Sequence, residues 1–142
     1  MIDQLTVFLE NSEGRLDALV RTLGAAGINM SALTIADTAD YGLVRIICNE
    51  PERAADVLRE NDFRALVTKV SAIEVPNHPG GLASLLDTLA KMGLNIEYGY
   101  CFSVNGDKAV DVLKIAGTKE AEQAAKALEE AGFKPLTQED LL

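Results

Sequence analysis

The chain has no tryptophan, only 5% aromatic residues, two cysteines and a single histidine in 142 residues. Stacking platforms for bases need exposed rings, which this composition hardly supplies. Positive charge is also scarce: 13 Lys and Arg stand against 22 Asp and Glu, a net charge of −9. Such a chain repels phosphate backbones and anionic lipid surfaces, so neither nucleic acid nor a membrane is an expected partner. No apolar run approaches the roughly 18–20 residues that would span a bilayer. The opening Met1-Ile2-Asp3-Gln4 lacks the basic start and apolar stretch of a secretory signal, and the expected location is cytoplasmic. Cys48 and Cys101 lie far apart and read as reduced, buried thiols. One histidine without a cysteine cluster leaves no metal site. Neither a nucleophile elbow nor a Gly-rich phosphate loop is present, so no catalytic residue and no cofactor are expected.

What is present is a soluble globular balance, 48% hydrophobic and 25% charged, and an internal repeat. Residues 11–29 set against 77–95 give eight identities in nineteen positions: Asn11/Asn77, Gly14/Gly80, Leu16/Leu82, Leu19/Leu85, Thr22/Thr88, Leu23/Leu89, Gly27/Gly93 and Asn29/Asn95. Random pairing gives about one, at roughly 6–7% per position. Beyond a four-residue insertion the match continues with Leu58/Leu128 and Phe63/Phe133. The expectation is two tandem domains, 1–70 and 71–142.

Each copy reads as strand, helix, strand, strand, helix, strand. In the first, 5–9 is β-rich, and Leu16, Leu19, Val20 and Leu23 recur at helical spacing up to Gly27. Residues 30–38 and 43–48 read as strands around a turn at Asp40-Tyr41-Gly42. Pro51 opens a helix to Asn61, and 65–70 closes the unit. The second copy reads as strands 72–75, 96–104, 109–115 and 135–137, with helices 82–92 and 118–131. Its Asn105-Gly106 is a hairpin signal. The fold class is therefore α+β: two tandem ferredoxin-like βαββαβ domains, each an antiparallel sheet with its helices on one face.

The turn from the first strand into the first helix is Asn11-Ser12-Glu13-Gly14-Arg15-Leu16 in one copy and Asn77-His78-Pro79-Gly80-Gly81-Leu82 in the other. A helix start offers backbone N–H groups and partial positive charge to a carboxylate. Asn adds both a donor and an acceptor, which suits an ammonium and carboxylate pair. Helix capping by Asn or Ser, worth about 1 kcal/mol, accounts for the same residues equally well. His78 reads either as a ligand contact or as an exposed loop residue. A second pair, Asn29-Met30 and Asn95-Ile96, starts the next strand, at the opposite end of the sheet from the first loop.

The Asn-x-x-Gly-x-Leu turn, the helix, the Gly-[Ile/Leu]-Asn-[Met/Ile] step and the βαββαβ order together resemble the ACT domain family, twice over nearly the whole chain. That resemblance implies a non-catalytic regulatory protein binding a small ligand, an amino acid, between paired domains. Matched by motif, the implied ligand residues are Asn11, Ser12, Gly14, Arg15, Leu16, Asn29 and Met30 in the first copy. In the second they are Asn77, His78, Pro79, Gly80, Gly81, Leu82, Asn95 and Ile96. The second loop, with His78-Pro79, is closer to the family pattern; Glu13 in the first would repel a carboxylate. The rival reading is an interaction module that docks on a metabolic enzyme and binds no metabolite.

One strand carries a further expectation. Alternation puts Ile96, Tyr98, Tyr100, Phe102 and Val104 on one face of 96–104, and Gly99 and Cys101 on the other. Small residues suit the side packed by helices, so the aromatic stripe is expected to form part of a homodimer interface.

Overall fold

The computed structural model describes residues 1–37 and 40–141. The chain divides into two compact units, Asp3–Thr68 and Lys69–Leu141, the latter also taking in Met1–Ile2.

The first unit holds β1 (Ile2–Glu10), α1 (Arg15–Ala25), β2 (Met30–Asp37), β3 (Tyr41–Cys48), α2 (Pro51–Glu60) and the start of β4 (Arg64–Pro76). Its strands lie in the order β2-β3-β1-β4. β1 and β3 pair antiparallel from Leu5↔Ile46 to Glu10↔Tyr41, and β2 and β3 from Met30↔Cys48 to Asp37↔Gly42. One face of the sheet carries Leu5, Val7, Leu9, Val44, Ile46 and Cys48. These pack on Leu19 and Leu23 of α1 and on Ala54, Ala55 and Leu58 of α2. Both helices thus cover the same face. The alanines of α2 let it lie close to the strands, and Pro51 at its first turn supplies a φ already suited to a helix.

The second unit repeats the plan with the rest of β4, α3 (Gly81–Lys91), β5 (Ile96–Asn105), β6 (Lys108–Ile115), α4 (Thr118–Glu130) and the two-residue β7 (Lys134–Pro135), followed by a 3₁₀ turn at Glu139–Leu141. The order is β4-β6-β5, with β7 on the other side of β4 through Ile73↔Pro135 and Glu74↔Lys134. Ile73, Val75, Ala109, Leu113 and Ile115 meet Leu85, Leu89, Ala121, Ala124 and Leu128 in the core. Each unit is a βαββαβ layer pair, as the periodicity and the resemblance imply.

The differences from the sequence reading have local causes. Residues 65–70 and 72–75, read as two strands, are one strand of 13 residues. No Gly, Pro or turn residue interrupts them, and Ser71 between them is buried. Tyr41 and Gly42, read as a turn, already belong to β3 and pair with Glu10 and Leu9. Thr38, the expected end of the preceding strand, lies outside the described residues, as does Leu142.

On β5 the alternation is broken. The register shifts between Ile96 and Tyr98 and again between Phe102 and Val104, where Ser103 has φ 57°. The first bulge returns Ile96 to the helix-covered core, and the second pairs Val104 with the core-side Ala109, so neither belongs to the expected stripe. Tyr98, Tyr100 and Phe102 pair with Lys114, Val112 and Val110 on the other face. Gly99 and Cys101 sit opposite Leu113 and Asp111, on the helix side as expected. An ideal Cβ on Gly99 would lie 2.7 Å from Cδ2 of Leu113, so a side chain there would displace the core leucine.

Candidate functional site

Both loops from the first strand into the first helix have the same backbone. The residue before each helix is a glycine in the left-handed region, Gly14 at φ 82° and Gly80 at φ 88°, and neither helix has a side-chain cap. Asn11, Ser12, Asn77 and His78 therefore do not act as helix caps. The first helical N–H of each is engaged, Arg15 donating to the Ser12 carbonyl at 3.3 Å and Gly81 to that of His78 at 3.0 Å. Leu16 and Leu82 follow, each with an exposed side chain, and no backbone acceptor meets their N–H among the described residues. What remains open to a ligand at each helix start is narrower than the motif alone implies.

Asn77 ties its loop to the hairpin between β5 and β6: its backbone N–H donates to Asp107 at 2.6 Å, and Nδ2 donates to the Gly106 carbonyl at 3.2 Å. In the first unit the Asn11 N–H reaches the Asp40 carbonyl at 3.4 Å. His78 is exposed, with Nδ1 3.0 Å from the Pro79 carbonyl. Gly81 is buried, and a Cβ there would run into the Pro76 carbonyl, so its lack of a side chain serves the packing of this turn.

The second-strand asparagines are placed elsewhere. Asn29 donates its N–H to Oδ1 of Asn49 at 3.2 Å and accepts from the Asn49 N–H; Asn95 accepts from the Ala116 N–H at 2.9 Å. Their neighbours Met30 and Ile96 are half-buried against the cores. Because β3 pairs with β1 at Tyr41 and with Met30 at Cys48, Asn11 and Asn29 stand at opposite ends of one sheet. The second unit repeats this, with Asn77 at the Lys108 end of β6 and Asn95 at the Ile115 end. Within one unit, then, the two halves of the motif do not converge.

Beside the first loop opens a cleft of about 480 Å³, lined by Phe8, Leu9, Glu10, Arg15, Asp40, Tyr41, Asp62, Phe63 and Arg64. Of these residues only Arg15 figures among the sequence candidates. Arg15 lays its guanidinium over the Phe63 ring, 4.6 Å from the centroid, and Arg64 lies 5.5 Å from that of Phe8. Phe63 could have been noticed, since it is matched by Phe133 and each is followed by a cation, Arg64 or Lys134.

Among the described residues no group of His, Cys, Asp and Glu is arranged to hold a metal ion. Asp111 is almost wholly buried opposite Cys101; burial raises its carboxyl pKa, and the hydrogen bond from the Cys101 thiol only partly offsets this. Burial first, and then the Asp111 charge and hydrogen bond, raise the Cys101 thiol in turn. Burial likewise raises Cys48, which is buried as expected; Cys101, expected buried too, is exposed because it lies on the edge strand β5. Neither cysteine is tuned toward a reactive thiolate.

The family model for the ACT domain pair matches residues 1–141. The chain belongs to this family. As an ACT domain pair it is similar over its length to the crystal structure of protein BT0572 from Bacteroides thetaiotaomicron, with 37% identity, a TM-score of 0.90, and 99% of this chain and 94% of that one covered. The ACT pair fold also matches the ligand-free regulatory subunit of aspartate kinase from Thermus thermophilus, at 14% identity and a TM-score of 0.67 with 91% of each chain covered. The corresponding subunit from Thermus flavus matches at 16% identity and a TM-score of 0.63, with 92% of each chain covered. At those identities the likeness is one of fold. No curated protein matches the chain.

Proposed function

We propose that this ACT domain pair, with domains at 1–70 and 71–142, is a non-catalytic regulator that binds an amino acid where one ACT domain pairs with another. The observation that carries the reading is the placement of the motif's two halves. Each unit presents its Asn-x-x-Gly-x-Leu loop at one end of a sheet and its second asparagine at the other. A ligand contacting both kinds of asparagine must then draw them from different domains. Asn11, Gly14, Asn77 and Gly80 would meet the ligand's charged groups, and Asn29 and Asn95 would complete the site from the facing domain. The loop at Asn77 is the favoured one, since Glu13 in the other would repel a carboxylate. The ligand acts by its differential affinity for two arrangements of the domains. A homodimer and a cytoplasmic setting belong to the same proposal; no described helix is long and apolar enough to cross a membrane.

A thermal-shift screen against the twenty amino acids tests it. A ligand at 100 times its dissociation constant stabilises by about 2.7 kcal/mol, a shift of several degrees at this size. One selective amino acid, with its effect lost in Asn77→Ala and Asn95→Ala, supports the reading; no shift at millimolar concentrations overturns it.

One observation favours a second reading, docking on an enzyme without a metabolite. Tyr98, Tyr100 and Phe102 are only half-buried on the sheet face away from the second unit's helices. Loss of regulation on Tyr100→Ser, with Asn77 and Asn95 dispensable, would support it.

A further inference from the structure

The two units carry clefts at equivalent places, and their differences are informative. In the second unit a cleft of about 400 Å³ is lined by residues that include Glu74, Pro76, Asp107, Lys108, Phe133 and Lys134. Equivalence follows from the register. Glu10 pairs with Tyr41 as Pro76 pairs with Lys108, and the N–H groups of Phe63 and Phe133 donate to the carbonyls of Leu58 and Leu128 in the same way. Phe8 thus answers to Glu74, Tyr41 to Lys108, Arg15 to Gly81, Asp62 to Gly132 and Arg64 to Lys134.

In the second cleft one cation is paired and the counterpart of Arg15 is missing. Lys108 and Glu74 form an ion pair of 3.1 Å. Gly81 offers no side chain, and the Pro76 carbonyl leaves no room for one. The first cleft is the reverse. Its two guanidiniums rest against aromatic rings, neither is in an ion pair among the described residues, and Nε of Arg15 is buried without a hydrogen-bond partner. A guanidinium stacked on a ring keeps its in-plane N–H donors free for a carboxylate.

Asp62 points the same way. It holds φ 65°, a left-handed conformation that Asp adopts less readily than glycine, where the second unit uses Gly132 at φ 93°. The first unit thus places a carboxylate in its cleft where the second has glycine. With Glu10 and Asp40 it gives the lining three acids against two arginines. A dianion would be repelled by that rim, whereas a molecule carrying both signs can satisfy it.

We propose that the cleft of the first unit is a binding site for a small zwitterionic metabolite, its carboxylate held by Arg15 and Arg64 and its ammonium by the acids Glu10, Asp40 and Asp62. The volume is within the range of ordinary ligand pockets. The site takes Arg15 from the first loop and shares the ligand class of the proposed function, but it lies within one domain, uses none of the asparagines and needs no facing partner.

The test is a titration of the full-length, isotope-labelled protein with each of the twenty amino acids, following by NMR the Nε–H signals of Arg15 and Arg64 and the side-chain amides of Asn77 and Asn95. The expected result is saturable movement of both arginine signals with at least one amino acid. Arg64→Gln should weaken that binding by about tenfold or more, the value of a charge-assisted hydrogen bond, while Lys134→Gln leaves it unchanged. Movement confined to the asparagine amides overturns the cleft proposal and supports the proposed function. Movement at the arginines with silent asparagines does the opposite. No movement anywhere overturns both, and binding that survives Arg64→Gln at full strength overturns the cleft alone.

Discussion

Arg15 and Phe63, 48 positions apart in the chain, are stacked with the guanidinium 4.6 Å from the ring centroid, so the start of α1 is held against the loop that follows α2. Phe63 is 7% exposed and belongs to the core, so Phe63→Ala should cost about 3–5 kcal/mol. Arg15→Ala should cost about 0.5–1 kcal/mol at this partly exposed site. Urea denaturation of both single variants and the double variant should return a coupling of about 0.5–1 kcal/mol. Strict additivity would show that the stack does not contribute to stability.

Gly81 and Arg15 occupy the same place in the repeat under opposite steric conditions. Because the Pro76 carbonyl stands where a Cβ would go, Gly81→Ala must move backbone and not merely a flexible side chain. A loss of about 2–3 kcal/mol is expected, of the size seen for overpacking. Gly14→Ala meets no such obstacle and should lose only about 1–2 kcal/mol, from its left-handed φ. Thermal midpoints that rank the two variants the other way would contradict the packing at Pro76.

Asp62→Gly should raise stability by about 0.5–1 kcal/mol by relieving its positive φ. The same change removes a carboxylate from the cleft, so stability and binding of a zwitterion should move in opposite directions. A variant that is no more stable than the natural chain would show that the Asp62 conformation carries no strain.

Asp111 gives the molecule a pH dependence of known sign. Its carboxyl pKa is raised on folding, so the folded chain holds a proton that the unfolded chain has released. Below the ordinary carboxylate range both states are protonated and there is no penalty. As pH rises from there through the raised folded value, ionisation of the buried group costs stability, and above it the cost is constant. Asp111→Asn should therefore gain on the natural chain as pH rises through that window, read as diverging urea midpoints. Midpoints that stay parallel would contradict the burial of this carboxylate in the folded chain.

Much of this was legible beforehand. The apolar periods of α1 to α4 and the duplicated Asn-x-x-Gly-x-Leu turn lie within short stretches of chain, where side-chain spacing and backbone preference act locally. Gly14 and Gly80 could be marked because left-handed backbone favours glycine whatever surrounds it. Other features depend on partners distant in sequence. The bulge that turns Ile96 inward while Tyr98 turns outward arises from pairing with β6. β4 runs through Ser71 without a break although the pattern divides it in two.

By itself, then, the sequence determined the duplication, the order of elements and the helix-covered faces, because all of these follow from local spacing repeated twice; the family came from the resemblance of its motifs. The tertiary structure alone decided that the asparagines are held in loop and strand contacts rather than helix caps. It alone placed Arg15 with Phe63 and Arg64 with Phe8 around one cleft, and paired Lys108 with Glu74 in the equivalent one. The reason is physical: which charges are paired, and which are left open to a ligand, depends on distances across the sheet and its loops that no spacing along the chain specifies.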